Sequence, residues 1–98
     1  GRINLSVLED DRKTAELGYR IGENVTNLGY ASEAVKLVLE KAFTTYGLHK
    51  IIAGTATYNL ASQRVLLKNG FTFSKIIEND FQMNNEWINT AVFEIRNL

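Results

Sequence analysis

Gly29-Tyr30-Ala31-Ser32-Glu33-Ala34 opens one amphipathic run, and Asn59-Leu60-Ala61-Ser62 opens a second that stops at Gly70-Phe71. From Ala31 the apolar residues Ala31, Ala34, Val35, Val38, Leu39, Ala42, Phe43 and Tyr46 step by three and one, which puts one apolar stripe on a helix of about four turns. Gly47 follows as a C-terminal stop. In the second run Asn59 can cap a helix extending through Asn69, with Gly70 at its end.

Outward from these two helices the pattern is of strands. Residues Arg2 to Glu9 alternate, with Ile3, Leu5 and Val7 on one face. Glu9-Asp10-Asp11-Arg12-Lys13 is a charged turn, and Thr14 to Ile21 reads as the return strand with Ala15, Leu17, Tyr19 and Ile21 on one face. Gly22 to Leu28 is a polar loop. Lys50 to Tyr58 is a β-rich run with Gly54 inside it, Phe71 to Glu78 is strand-like, Asn84-Asn85 suits a turn, and Trp87 to Arg96 is a final strand. The order is ββαβαββ, a mixed α/β fold in one domain spanning residues 1–98.

Composition narrows the function. The net charge is zero, so there is no electrostatic case for nucleic acid or an anionic membrane as partner. Cysteine is absent, which excludes disulfides, thiolate metal sites and a cysteine nucleophile. The lone His49 excludes a multi-histidine metal site within one chain, so no metal is expected. No apolar run approaches a membrane span and no signal peptide is visible, which makes the cytoplasm the default expectation. The chain starts at Gly1 rather than Met and goes straight into a strand, which suggests a processed, cut or incomplete N-terminus.

Two motifs carry chemistry. A pyrophosphate needs several N–H donors converging without a Cβ in the way, and Gly29 and Ala31 meet that demand at the positive end of a helix dipole. A single glycine at an ordinary strand-to-helix turn looks the same. Asn59 and Ser62, read from their residues alone, are a helix cap and a first-turn residue.

The whole order, with these motifs, resembles the acyl-CoA-binding half of the GNAT N-acetyltransferase superfamily, and most of all its ribosomal-protein N-acetyltransferase branch. Gly29-Tyr30-Ala31 matches the last three positions of the family's phosphate loop. Thr26 stands where Gln or Arg is usual, and Asn27 where this branch commonly has a further glycine. Ser32-Glu33-Ala34 continues the branch's wording. Asn59-Leu60-Ala61-Ser62, then Arg64-Val65 and Lys68-Asn69-Gly70-Phe71, looks like the family's Asn-x-x-Ser…Lys-x-Gly-Phe signature.

The resemblance implies acetyl-CoA in a cleft between diverging strands, Leu17–Ile21 and Ile51–Thr57. The backbone at Tyr19 and Ile21 would run along the pantetheine. Thr26, Asn27, Leu28, Gly29, Tyr30, Ala31 and Ser32 would hold the pyrophosphate, and Asn59 and Ser62 would orient the pantetheine and thioester. Many relatives place a tyrosine acid where this chain has Leu66, which leaves Ser62 as the candidate donor to the leaving sulfur. Glu16 and Glu23 are candidate bases that no motif fixes, and each reads first as a solvated surface carboxylate. A carboxylate common in the branch before the final-strand tryptophan is replaced by Phe81. The side chain of Tyr19 is expected in the core or site wall, Trp87 in the core, and His49 in a structural turn.

Gly1-Arg2-Ile3-Asn4 looks like the family's second strand, so a first strand and two acceptor-side helices are expected to be lacking. That would leave an open sheet edge suited to a homodimer. The implied function is direct acetyl transfer from acetyl-CoA to a primary amine, a protein N-terminus or a small amine. The alternative is a degenerate remnant that binds CoA or dimerises without efficient catalysis.

Overall fold

The computed structural model describes residues 2–7, 13–20 and 28–97. Five strands and two helices alternate as β1 (Arg2–Val7), β2 (Thr14–Arg20), α1 (Leu28–Thr44), β3 (Lys50–Ala56), α2 (Leu60–Lys68), β4 (Thr72–Met83) and β5 (Glu86–Arg96). They form one mixed sheet in the order β1-β2-β3-β5-β4. All neighbours are antiparallel except β2 and β3, which run parallel.

The crossovers β2–α1–β3 and β3–α2–β4 step the same way across the sheet. Right-handed connections therefore put both helices on one face. Ala15 and Leu17 of β2, Ile51 and Ala53 of β3, and Ala91 and Phe93 of β5 point to that face. They meet Val35, Leu39 and Ala42 of α1 and Val65 and Leu66 of α2 in a single buried cluster. Of the stripe predicted for the first helix, Val35, Leu39 and Ala42 are buried, and Val38 and Phe43 pack partly against them. The alternate strand positions, among them Glu16, Lys50, Ile52, Gly54 and Glu94, belong to a face that no helix covers among the described residues. There Glu94 pairs with Lys50 at 3.0 Å and approaches Arg96 at 3.9 Å.

Local chemistry sets the ends of α2. Asn59 Oδ1 accepts from the Ser62 N–H at 3.1 Å, an N-cap. At the other end Gly70 has φ +92°, the Phe71 N–H donates to the Leu66 carbonyl and the Gly70 N–H to the Leu67 carbonyl. This is a Schellman termination, with Phe71 and Leu66 both buried against the core. The Asn84-Asn85 turn has φ +51° and +65°, the type I′ geometry that asparagine tolerates and that suits a two-residue hairpin.

Several expectations are corrected. The first helix starts at Leu28, not Ala31, so Leu28, Gly29 and Tyr30 belong to its first turn rather than to a loop. A single glycine is tolerated in a first turn, so the helix can begin ahead of the stripe read from the sequence. Tyr46 lies past the helix end and is exposed, because Lys41 and Ala42 carbonyls are already capped by the Tyr46 and Leu48 N–H groups ahead of and beyond Gly47. β4 runs on to Met83, through two register shifts and Asn79 at φ +50°. Trp87 is 59% exposed, because it sits at the hairpin end, beyond the reach of the helix layer. No helix among the described residues is long and apolar enough to cross a membrane.

Candidate functional site

The parallel seam between β2 and β3 does not run the length of the strands. It pairs Thr14 with Lys50, Ala15 with Ile51, Glu16 with Ile52 and Leu17 with Ala53, and there it ends. Yet β2 continues to Arg20, still paired with β1, and β3 continues to Ala56, still paired with β5. The strands therefore part after Leu17 and Ala53, leaving a cleft whose walls are strand edges with peptide groups turned toward each other.

Both parallel strands feed helices from their carboxyl ends, α1 beginning at Leu28 and α2 at Leu60. A crevice outside the carboxyl ends of neighbouring parallel strands is where open α/β sheets take ligands. The first four N–H groups of a helix have no carbonyl within it to bond, so the turn containing Gly29 offers a row of donors. No acidic residue stands in that turn to oppose an anion. This donor set, together with the split ladder, fits a ligand that has a phosphate end and an amide-bearing arm.

The turn from β3 into α2 is held tightly. Gln63 Nε2 donates to the Thr57 carbonyl at 2.9 Å and to that of Ala56 at 3.4 Å, and the Asn59 N–H donates to the Ala56 carbonyl. Asn59 and Ser62 are thereby fixed at the cleft end of β3. Ser62 is buried on the same stripe as Val65 and Leu66. Leu66 is itself wholly buried in the core, where a leucine supplies packing and no proton donor.

Glu16 is exposed and belongs to the helix-free face, one position before the strands part. Ser62 lies on the helix side, so the two candidate catalytic residues stand on opposite sides of the sheet at the same cleft. Leu28, Gly29, Tyr30 and Ala31 form the start of α1, and Tyr19 is opposite Ile3 in β2. Ile21, Glu23, Thr26 and Asn27 lie outside the described residues. His49 holds its turn through the backbone, its N–H donating to Lys13 and its carbonyl accepting from Asn97.

Ser32 has a partner that no motif announces. Asn69 Nδ2 lies 3.1 Å from the Ser32 carbonyl, 3.1 Å from Ser32 Oγ and 3.0 Å from the Val65 carbonyl. Two of these acceptors are carbonyls, which cannot donate, so the amide nitrogen must face them. Asn69 thus ties the end of α2 to the start of α1. Its sequence signal was legible only as a helix end, since nothing local connects it to a serine 37 residues earlier. No group of three or more metal-ligating side chains occurs among the described residues.

Comparison with known proteins agrees with this geometry. Residues 1–72 match the family model described as "Acetyltransferase (GNAT) domain". The chain is 35% identical over 98 residues to a probable N-acetyltransferase of Bacillus subtilis, YjcK, covering 99% of this chain and 54% of that protein. It superposes on an acetyltransferase of the GNAT family from Bacillus anthracis with a TM-score of 0.82 at 30% identity, covering 96% of this chain and 56% of that one. It shares its fold with the ribosomal-protein-S5-alanine acetyltransferase of Vibrio fischeri, with a TM-score of 0.86 at 21% identity over 97% of this chain and 52% of that one. The chain spans about half the length of the curated relatives it matches.

Proposed function

The chain belongs to the acetyltransferase (GNAT) family, and from that membership we propose that it is an N-acetyltransferase that takes acetyl-CoA and a primary amine, either a protein N-terminus or a small amine. The observation that carries this reading is the seam that parts after Leu17 and Ala53 while both strands continue. Acetyl-CoA supplies the acyl group as a thioester already activated toward an amine.

The residues of this chain do the rest. The edges at 18–20 and 54–56 offer peptide N–H and carbonyl groups to an amide-bearing arm, as a strand would to a neighbour. The first turn of α1, from Leu28 to Ala31, with Ser32 after it, takes the diphosphate on its N–H groups, extended by Thr26 and Asn27, and the backbone at Tyr19 and Ile21 runs along the pantetheine. Asn59 and Ser62, fixed by the α2 cap, orient the acyl end, and Ser62 donates toward the leaving sulfur from the helix side. The amine arrives from the helix-free face, where Glu16 takes its proton. A second copy can pair along β1, which is an edge strand of the described sheet.

The test is calorimetry of the full chain with acetyl-CoA. Saturable binding with a Kd of about micromolar order is expected. Asn59→Ala should weaken it, and Ser62→Ala should lower turnover while leaving affinity in place. A folded sample that binds no acetyl-CoA would refute the enzyme reading and leave an interaction module.

A further inference from the structure

Asn69 is the only asparagine in the sequence that is followed by a glycine. The others precede leucine, valine, threonine, aspartate, asparagine or glutamate. Glycine has no Cβ to shield its nitrogen and does not restrict how the backbone turns. In an unfolded chain that nitrogen therefore reaches a preceding carboxamide more readily than the nitrogen of any other residue type. Asn69 is on these grounds the most reactive carboxamide of the chain wherever the fold does not restrain it.

In the structure the pair is restrained on every side. Attack on the carboxamide requires the Gly70 nitrogen to eclipse Cβ of Asn69, which a tetrahedral Cα places at ψ of about −120°. The observed ψ of Asn69 is 10°, so the nitrogen is turned away from the side chain. The Gly70 N–H is engaged with the Leu67 carbonyl at 3.1 Å. The carboxamide is anchored by Nδ2 on the Ser32 carbonyl, on Ser32 Oγ and on the Val65 carbonyl. The turn cannot rotate alone, because the Phe71 N–H closes it on the Leu66 carbonyl and Phe71 and Leu66 are both buried. Reaction therefore requires the end of α2 to lift away from α1, a local opening.

We propose that Asn69-Gly70 is a site of spontaneous deamidation, guarded by the contact of α2 with α1 and released when that contact opens. Once the end of α2 lifts away, the Gly70 nitrogen gives its proton to solvent base and attacks Asn69 Cγ. The N–Cγ bond forms, the Cγ–Nδ2 bond breaks, and Nδ2 leaves as ammonia. Water then opens the cyclic imide, at one carbonyl to give aspartate and at the other to give isoaspartate. Neither product restores the tie. Aspartate sets an acceptor against the Ser32 carbonyl. Isoaspartate adds a methylene to the main chain inside the turn that the Phe71 N–H closes. An opening that ends in reaction therefore leaves the helix pair permanently looser. The site is independent of the acetyl-CoA reading.

The experiment incubates the full chain at mildly alkaline pH, in native buffer and in urea above its unfolding midpoint. Peptide mapping then resolves asparagine, aspartate and isoaspartate at each asparagine position. In urea Asn69 should react fastest of all the asparagines. In native buffer it should react at least about tenfold more slowly than in urea, since only the opened fraction is reactive. Ser32→Ala removes one of the three acceptors and should raise the native rate by about two- to tenfold, the weight of one such bond, with the rate in urea unchanged. The deamidated protein, separated from fresh protein by its added negative charge, should melt at a lower temperature. Equal rates at Asn69 in native buffer and in urea would overturn the guard, as would a Ser32→Ala variant that reacts no faster than wild type in native buffer. An Asn69 that is not the fastest site in urea, or a deamidated protein as stable as the fresh one, would overturn the site itself.

Discussion

Replacing Asn69 with alanine isolates the tie between the two helices. The carboxamide has two N–H donors spread over three acceptors, at 3.0–3.1 Å. Each such bond contributes about 0.5–1.5 kcal/mol net, and the partly buried Ser32 carbonyl and hydroxyl lose their partner. The backbone at φ −92°, ψ 10° suits alanine, so no strain offsets or adds to the loss. The expected cost is therefore about 2 kcal/mol. In a domain of this size that lowers the melting temperature by about 8–16 °C. Urea denaturation should show a lower midpoint at unchanged slope. Asn69→Asp keeps the shape but sets an acceptor against the Ser32 carbonyl, so near neutral pH it should cost at least as much. A loss under about 0.5 kcal/mol for the alanine variant, or an aspartate variant milder than alanine, would refute the tie.

Other expectations follow from the same geometry. Leu66→Tyr, which introduces the tyrosine that the family resemblance implies there, should destabilise by about 2–4 kcal/mol and give no gain in acetyl transfer, because the position is wholly buried; denaturation and a steady-state assay check it together. Gly54→Ala would set a Cβ 3.0 Å from Thr90 Cγ2, and Thr90 is held by its 2.7 Å bond to Asp80, so a loss of about 1 kcal/mol is expected in thermal unfolding; a gain would mean that Thr90 gives way. The Lys50 ammonium beside Glu94, helped by Arg96, holds its carboxyl below the ordinary value. A lowered folded pKa gives stability that is present above pH 4.5 and lost as pH falls through the lowered value, so the gap between wild type and Glu94→Gln should be constant near neutrality and close in acid. A gap that widens in acid would contradict the pairing.

How much of this could be read from the sequence varied with how local the cause was. The caps of α2 and the Asn84-Asn85 turn depend on side chains and φ preferences within a few residues, and they stand where the sequence put them. The order of elements followed from hydrophobic period, which burial enforces. The start of α1 did not, because the apolar stripe reports contact with the sheet and a helix can begin a turn before that contact. Trp87 misled because a large aromatic usually signals a core, but here it stands near a hairpin end beyond the helices. In the candidate site Asn59 and Ser62 were legible as motif residues. The grip of Asn69 on Ser32 arises only when α1 and α2 pack, and no local pattern encodes it.

The short seam also governs how the molecule comes apart. β2 and β3 share four register pairs, whereas β3 and β5 share seven and are continuous in sequence with α2 and β4. The β1–β2 hairpin is fastened to the β3–β5 ladder by the shorter parallel seam and by its share of the common core under α1. In amide exchange the strand protons of β1 and β2 should open at lower free energy than those of β3 and β5. Any ligand that bridges the gap beyond Leu17 and Ala53 would act as a strut across that weak line and raise the protection of the hairpin more than that of the remainder.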